Sequence, residues 1–144
     1  MKCMLDTDVY VGAMRSAKKR AEFMTAFMPL VPATYLAAVV AYELYVNAQD
    51  RSTQRLVEEF VAPMERTGRV IAPTFSDWLS AAEIVSGIEE RDRSWKSKLP
   101  ALVNDILIAL CARRVGAHLF TRNGKDFRLI QRHLDFSWTV VEPA

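Results

Sequence analysis

The sequence predicts an α/β protein, with a mainly parallel sheet of about five short strands covered by helices on both faces. Two observations carry this expectation. Apolar runs of strand length occur at 1–5, 34–37, 69–72, 118–121 and 138–141, and most are separated by stretches whose apolar residues recur at helical spacing. In addition, the first run, Met1-Lys2-Cys3-Met4-Leu5, ends abruptly in Asp6-Thr7-Asp8. A buried strand that delivers carboxylates at its end places them where open α/β sheets bind their ligands.

Taken in order, Val9, Tyr10, Val11, Ala13 and Met14 read as a helix start, with Asp6, Thr7 or Asp8 available as its cap. A basic joint from Arg15 to Arg20 leads to a second helical stretch at 21–28, which Pro29 and Pro32 end. Thr34 to Ala37 is the second strand. From Ala38 to Ala48 a helical pattern of Val39, Val40, Leu44 and Val46 encloses the lone acid Glu43. Ser52 to Glu65 is amphipathic, with Ser52 as a candidate cap, and Gly68 closes it. A short strand at 69–72 precedes a helix whose expected buried face is Trp78, Leu79, Ala82, Ile84 and Val85. The charged stretch 89–98 reads as a helix end and an exposed loop. Ala101 to Ala112 is a core helix carrying the single acid Asp105, and Gly116 is placed to cap it. A strand at 118–121, a polar turn, a short helix ending near Leu134 and a last strand at 138–141 complete the chain.

A chain of 144 residues, 51% hydrophobic and 25% charged, is expected to fold as one domain over 1–144. No apolar stretch reaches the roughly 18 residues a membrane span requires, and the apolar N-terminus has neither a basic leader nor a cleavage site. A cytoplasmic protein with no membrane partner is therefore expected. Cys3 and Cys111 lie in apolar surroundings without metal-binding spacing, and His118 and His133 are isolated, so structural roles are expected for all four. A net charge of +2 does not by itself identify a nucleic-acid partner.

The candidate chemistry lies in the acids. Asp6, Glu43 and Asp105 are lone polar groups within apolar elements, and burying such groups together is unfavourable unless a cation joins them. No Lys or Arg lies within the apolar segments around Glu43 or Asp105. A divalent ion with oxygen preference, Mg2+ or Mn2+, would meet the need and could activate water against a phosphodiester. Capping remains an open alternative for Asp105 and Asp126, and a place in the turn before Gly124 for Asn123.

Four segments in order resemble PIN-domain proteins, especially the VapC-type ribonuclease toxins: Met4-Leu5-Asp6-Thr7-Asp8, Ala41-Tyr42-Glu43-Leu44, Asn104-Asp105-Ile106-Leu107-Ile108-Ala109 and Thr121-Arg122-Asn123-Gly124-Lys125-Asp126-Phe127. The resemblance spans essentially the whole chain. It implies a three-layer α/β/α PIN-like fold, a magnesium or manganese site, and endonucleolytic RNA cleavage by metal-activated water. By position, it implies Asp6, Glu43, Asp105 and Asn123 as catalytic and metal-binding residues, with Asp126 as a supplementary ligand. The family's fourth position is often Asp, so Asn123 implies a second metal bound weakly or only with substrate. A homodimer and a cognate antitoxin blocking the active-site groove are also implied, with the apolar faces around Tyr10, Met14, Phe23 and Phe27 as a candidate docking groove or simply core.

Basic residues flank the third segment. Arg91, Arg93, Lys96 and Lys98 precede it, and Arg113, Arg114, Arg122, Lys125 and Arg128 follow; Arg91, Arg93, Lys96, Lys98 and Arg122 are the leading RNA-binding candidates, with Trp95 available to stack on a base. The same charge run is also what a solvated loop looks like. Two other functions compete. Asp6-Thr7-Asp8 is similar to the opening of haloacid-dehalogenase-type phosphatases, with Asp6 as nucleophile. Asn123 also suits a catalytically weak PIN-fold module that only binds RNA or protein.

Overall fold

The computed structural model describes residues 1–141. Five strands form one parallel sheet in the order β3-β2-β1-β4-β5: β1 (Lys2–Leu5), β2 (Thr34–Ala37), β3 (Val70–Ile71), β4 (Ala117–Thr121) and β5 (Trp138–Val140). Parallel neighbours require helical crossovers, and these supply the outer layers. Helices α1 (Thr7–Ala13) and α2 (Ala17–Phe27) connect β1 to β2; α3 (Ala38–Asn47) and α4 (Arg51–Arg66) connect β2 to β3; α5 (Phe75–Arg91) and α6 (Leu99–Val115) connect β3 to β4; α7 (Gly124–Gln131) connects β4 to β5. The three-layer α/β/α arrangement is the one expected from the sequence.

The centre of the sheet is β1, whose Cys3, Met4 and Leu5 are buried between the layers. Against it packs α6, with Leu102, Ile106, Leu107, Ile108, Ala109 and Cys111 buried. Gly116 ends this helix in the left-handed conformation, at φ 71°, a region where a Cβ is unfavourable. From β1 the chain winds toward β2 and β3; from β4 it winds the other way to β5. The reversal point of the sheet therefore lies between β1 and β4, where open α/β folds present a crevice.

Several boundaries differ from expectation, each for a local reason. The basic joint at 15–20 is largely helical, because the Ser16 side chain accepts from the Lys19 N–H at 3.1 Å and starts α2. Helix α4 is capped by Asp50, which accepts from the Thr53 N–H at 2.8 Å, rather than by Ser52. In α5, Ala81, Ile84 and Ile88 are buried while Trp78 and Leu79 are each 52% exposed. The face is turned by Asp77, which completes a capping box with Thr74 and accepts from Arg114 Nε of α6 at 3.1 Å. A short 3-10 turn at Arg93–Trp95 joins α5 to α6.

The cysteines are free and buried, as expected. His118 bonds the Ser137 hydroxyl through Nδ1 and the Thr139 hydroxyl, at 2.7 Å, through Nε2, which ties β4 to the chain of β5. Among the described residues, no helix is long and apolar enough to cross a membrane.

Candidate active site

Strand β1 stops at Leu5 because Asp6 turns the chain into α1. The Asp6 Oδ1 atom accepts from the Thr7 N–H at 2.8 Å, and its backbone N–H still donates to Phe120 O of β4. Asp6 is thus the cap that the sequence allowed, but capping uses only one carboxylate oxygen. The other, Oδ2, accepts from the Thr121 hydroxyl at 2.7 Å. Thr121 ends β4, is fully buried, and accepts in turn from the Asn123 N–H at 3.0 Å. One hydroxyl therefore couples the ends of both central strands.

Glu43 projects from α3 toward the same end, where its Oε1 accepts from the Thr7 hydroxyl at 2.6 Å. Asp105 is seven residues into α6, whose cap position is Lys98. That placement removes the capping alternative for Asp105. Asn123 does cap α7, accepting from the Asp126 N–H at 3.3 Å, and its amide nitrogen faces two acids: Asp126 Oδ2 at 2.8 Å and Asp105 Oδ2 at 3.5 Å. Strands β1 and β4 and helices α3, α6 and α7 thus bring Asp6, Glu43, Asp105, Asn123 and Asp126 to one end of the sheet.

These acids feel one another. Burial pushes the Asp105 carboxyl up to about 8, with further rises from Asp6, Asp126, Glu43 and Asp8. Asp6 is pushed up to about 7, first by burial and then by Asp8, while bonds from Thr121 and Thr7 pull the other way. Burial also raises Asp8, whose Oδ1 accepts from the Arg122 N–H at 3.0 Å. Asp8 was absent from the sequence-based site set, although its spacing from Asp6 was visible; its role in fastening the segment after β4 required the fold. Neither ion pair of the described residues, Lys18–Glu22 or Asp77–Arg114, neutralises any of these carboxylates.

The donors are hard oxygens, carry excess negative charge and, among the described residues, join no salt bridge, which suits Mg2+ or Mn2+. Among the described residues, however, no three His, Cys, Asp or Glu side chains form a ready-made metal cluster. The carboxylates accept bonds from Thr7, Thr121 and Asn123 instead of closing on one point. A largely hydrated magnesium ion held by one or two carboxylates and substrate oxygens needs no closed protein cage. The donor chemistry therefore fits such an ion, without a preformed three-acid clasp.

The basic candidates divide. Arg91, Arg93, Lys96 and Lys98 are exposed around the α5–α6 connection. Arg122 instead lays its guanidinium against Gly12 of α1, where a Cβ would collide with it. A second feature lies on the other flank of α1: a cavity of about 350 Å3 lined by Tyr10, Phe23, Phe27, Phe60 and Met64 and bordered by Arg20. Tyr10 stacks at a tilt on Phe23 and Phe60, with centroids 6.0 and 5.4 Å away. Among the described residues, the buried Tyr10 hydroxyl and Arg20 Nε have no hydrogen-bond partner, and α2 has no buried residue. Tyr10 belongs to the buried core, while Phe23 and Phe27 are half-buried against it along this cavity.

No family model and no curated protein matches the chain. Solved structures do. VapBC2 from Rickettsia felis, bound to a DNA fragment from its promoter, matches with a TM-score of 0.66 at 19% identity, covering 99% of this chain and 100% of that chain. FitAB bound to the IR36 DNA fragment gives 0.68 at 17% identity, covering 96% and 94%. VapBC-1 from nontypeable Haemophilus influenzae gives 0.64 at 21% identity, covering 97% and 98%.

Proposed function

From the VapC-type PIN fold that this chain adopts, we propose that it is a metal-dependent endoribonuclease and the toxin of a toxin–antitoxin pair. The observation that carries the reading is the mutual pressure among the acids: Asp6 and Asp105 are raised to about 7 and 8 by burial and by neighbouring carboxylates, with no Lys or Arg paired to them. That arrangement is unfavourable in the free chain and favourable once a divalent cation arrives.

Asp6, Glu43 and Asp105 would hold Mg2+ or Mn2+, with Asp126 beside them. When bound, the ion supplies a more acidic water and charge stabilisation for the departing oxygen of a phosphodiester. The chain's own contribution is positional. Thr7 holds Glu43 and Thr121 holds Asp6, so both carboxylates keep fixed orientations. Asn123 keeps Asp105 and Asp126 near each other through its amide nitrogen, a neutral donor where another acid would repel them.

Both Asp6 oxygens accept protein hydrogen bonds, which disfavours Asp6 as the attacking group of a phosphatase. Incubation with single-stranded RNA tests the choice. Cleavage is expected in Mg2+ or Mn2+, absent in chelator, and lost in Asp6→Asn and Asp105→Asn variants whose far-UV circular dichroism matches the parent. Undiminished cleavage in chelator overturns the proposal, and a phosphorylated Asp6 establishes the phosphatase instead.

The cavity along α2 is the proposed seat of the cognate antitoxin. Its apolar lining, bordered by Arg20, offers burial to an apolar face of a partner. A homodimer is the proposed assembly, supported by exposed Phe75, Trp78 and Leu79 on α5 and Tyr42, Tyr45 and Val46 on α3. Sedimentation equilibrium of Trp78→Lys tests it; a variant that sediments as the parent does removes α5 from the interface.

A further inference from the structure

Two lysines from different parts of the chain meet at one indole. Trp95 lies in the 3-10 turn between α5 and α6 and is partly buried against the core, so its ring is held in place. The Lys98 ammonium, from the start of α6, is 5.5 Å from the ring centroid, and the Lys125 ammonium, from the first turn of α7, is 6.0 Å from it. Both lysines are exposed, and neither belongs to an ion pair of the described residues. Lys125 is adjacent in the chain to Asp126, whose carboxylate is bonded to Asn123.

Two ammonium groups held near one ring repel each other. Their attraction to an aromatic face offsets part of that repulsion and fixes where the charges point. The result is two positive charges fixed at one indole, one of them on the residue that precedes Asp126. A negative centre repels a nucleic-acid strand, so a strand that is to lie across it needs cationic anchorage close by.

We propose that Lys98 and Lys125, positioned by Trp95, hold one backbone phosphate of a single-stranded RNA adjacent to the acidic centre. The identity of the polyanion rests on the ribonuclease reading; the site itself does not require cleavage to be measured. The site singles out Lys98 from the leading basic candidates and joins to it Lys125, which lies 27 residues further along the chain.

The test is equilibrium binding of a fluorescently labelled single-stranded RNA to the full chain carrying Asp105→Asn, so that the probe is not consumed, across a series of salt concentrations. Replacing both lysines, Lys98→Ala with Lys125→Ala, is expected to weaken binding about tenfold at low salt and to reduce the slope of log affinity against log salt by about 0.7, the value for one phosphate on a single strand. Removing the same charge elsewhere, Lys18→Ala with Arg132→Ala, is expected to leave the slope as in the parent. Lys98→Gln with Lys125→Gln retains much of each side-chain stem and should reproduce the loss. An unchanged slope in the lysine variants, or an equal fall in the control pair, overturns the proposal. The two readings fail separately: RNA cleavage by the wild-type chain with an unaltered slope in the lysine variants removes this site alone, whereas a lysine-dependent slope without cleavage removes the nuclease alone.

Discussion

Thr121 donates its hydroxyl hydrogen to Asp6 at 2.7 Å across a sequence separation of 115 residues, and the same oxygen accepts the N–H of Asn123. Both roles are filled in a fully buried position. Thr121→Val keeps the shape and removes both bonds, leaving an Asp6 oxygen and the Asn123 N–H without their partner. A loss of about 1–3 kcal/mol in unfolding free energy is expected, measured by urea denaturation, with Thr121→Ser retaining most of it. Manganese affinity, followed by calorimetry, should fall in Val and be preserved in Ser.

The raised acids predict an unusual pH profile. Asp6 and Asp105 shift from an ordinary value near 3.8 to about 7 and about 8, so between these limits the folded chain binds more protons than the unfolded one. Stability of the metal-free protein should therefore fall as pH rises from about 4 to about 8, and level off above. Asp105→Asn removes one of the two groups. Its melting temperature should match the parent near pH 4 and exceed it by several degrees at pH 9, while cleavage is lost; thermal melts in chelator across that range decide this. A parent profile that rises from pH 4 to 8 contradicts the assignment.

The groove invites a test in the opposite direction from most substitutions. Tyr10 is buried, yet its hydroxyl has no partner in the free chain. Tyr10→Phe deletes that oxygen without changing the ring contacts to Phe23 and Phe60. Free-chain stability should remain equal or rise by up to about 1 kcal/mol in urea melts. A clear loss would mean that the hydroxyl is satisfied in solution.

How much of this was visible beforehand depends on how local the determinant is. The five strands and the α6 cap at Gly116 were legible, because strand-length apolar runs and a glycine after a core helix are read from neighbouring residues. Lone acids in apolar company suggested that Asp6, Glu43 and Asp105 converge, but among the described residues no three acids close into a cluster able to hold a metal. What escaped was tertiary. Trp78 and Leu79 looked like core until Asp77 turned α5 onto Arg114, and Lys125 showed no relation to Trp95 until α7 folded back beside the α5–α6 turn. Asp8 needed the same closure, since its partner is a backbone N–H 114 residues away.

Asn123 allows the strongest test of the acidic centre, because its amide nitrogen is a neutral donor between Asp105 and Asp126. Asn123→Asp exchanges that donor for a further carboxylate while keeping an oxygen able to cap α7. The metal-free chain should lose stability at pH 8, since two attractive contacts become repulsive, and lose much less at pH 4, where protonation restores a donor. Added manganese should reverse the order: extra negative charge strengthens the hold on a divalent ion, so the variant should gain more melting temperature per metal added than the parent. Thermal melts at two pH values, with and without manganese, contain all four outcomes. If Asn123→Asp were as stable as the parent at pH 8 without metal and gained no more from manganese, Asn123 would lie outside the electrostatic centre.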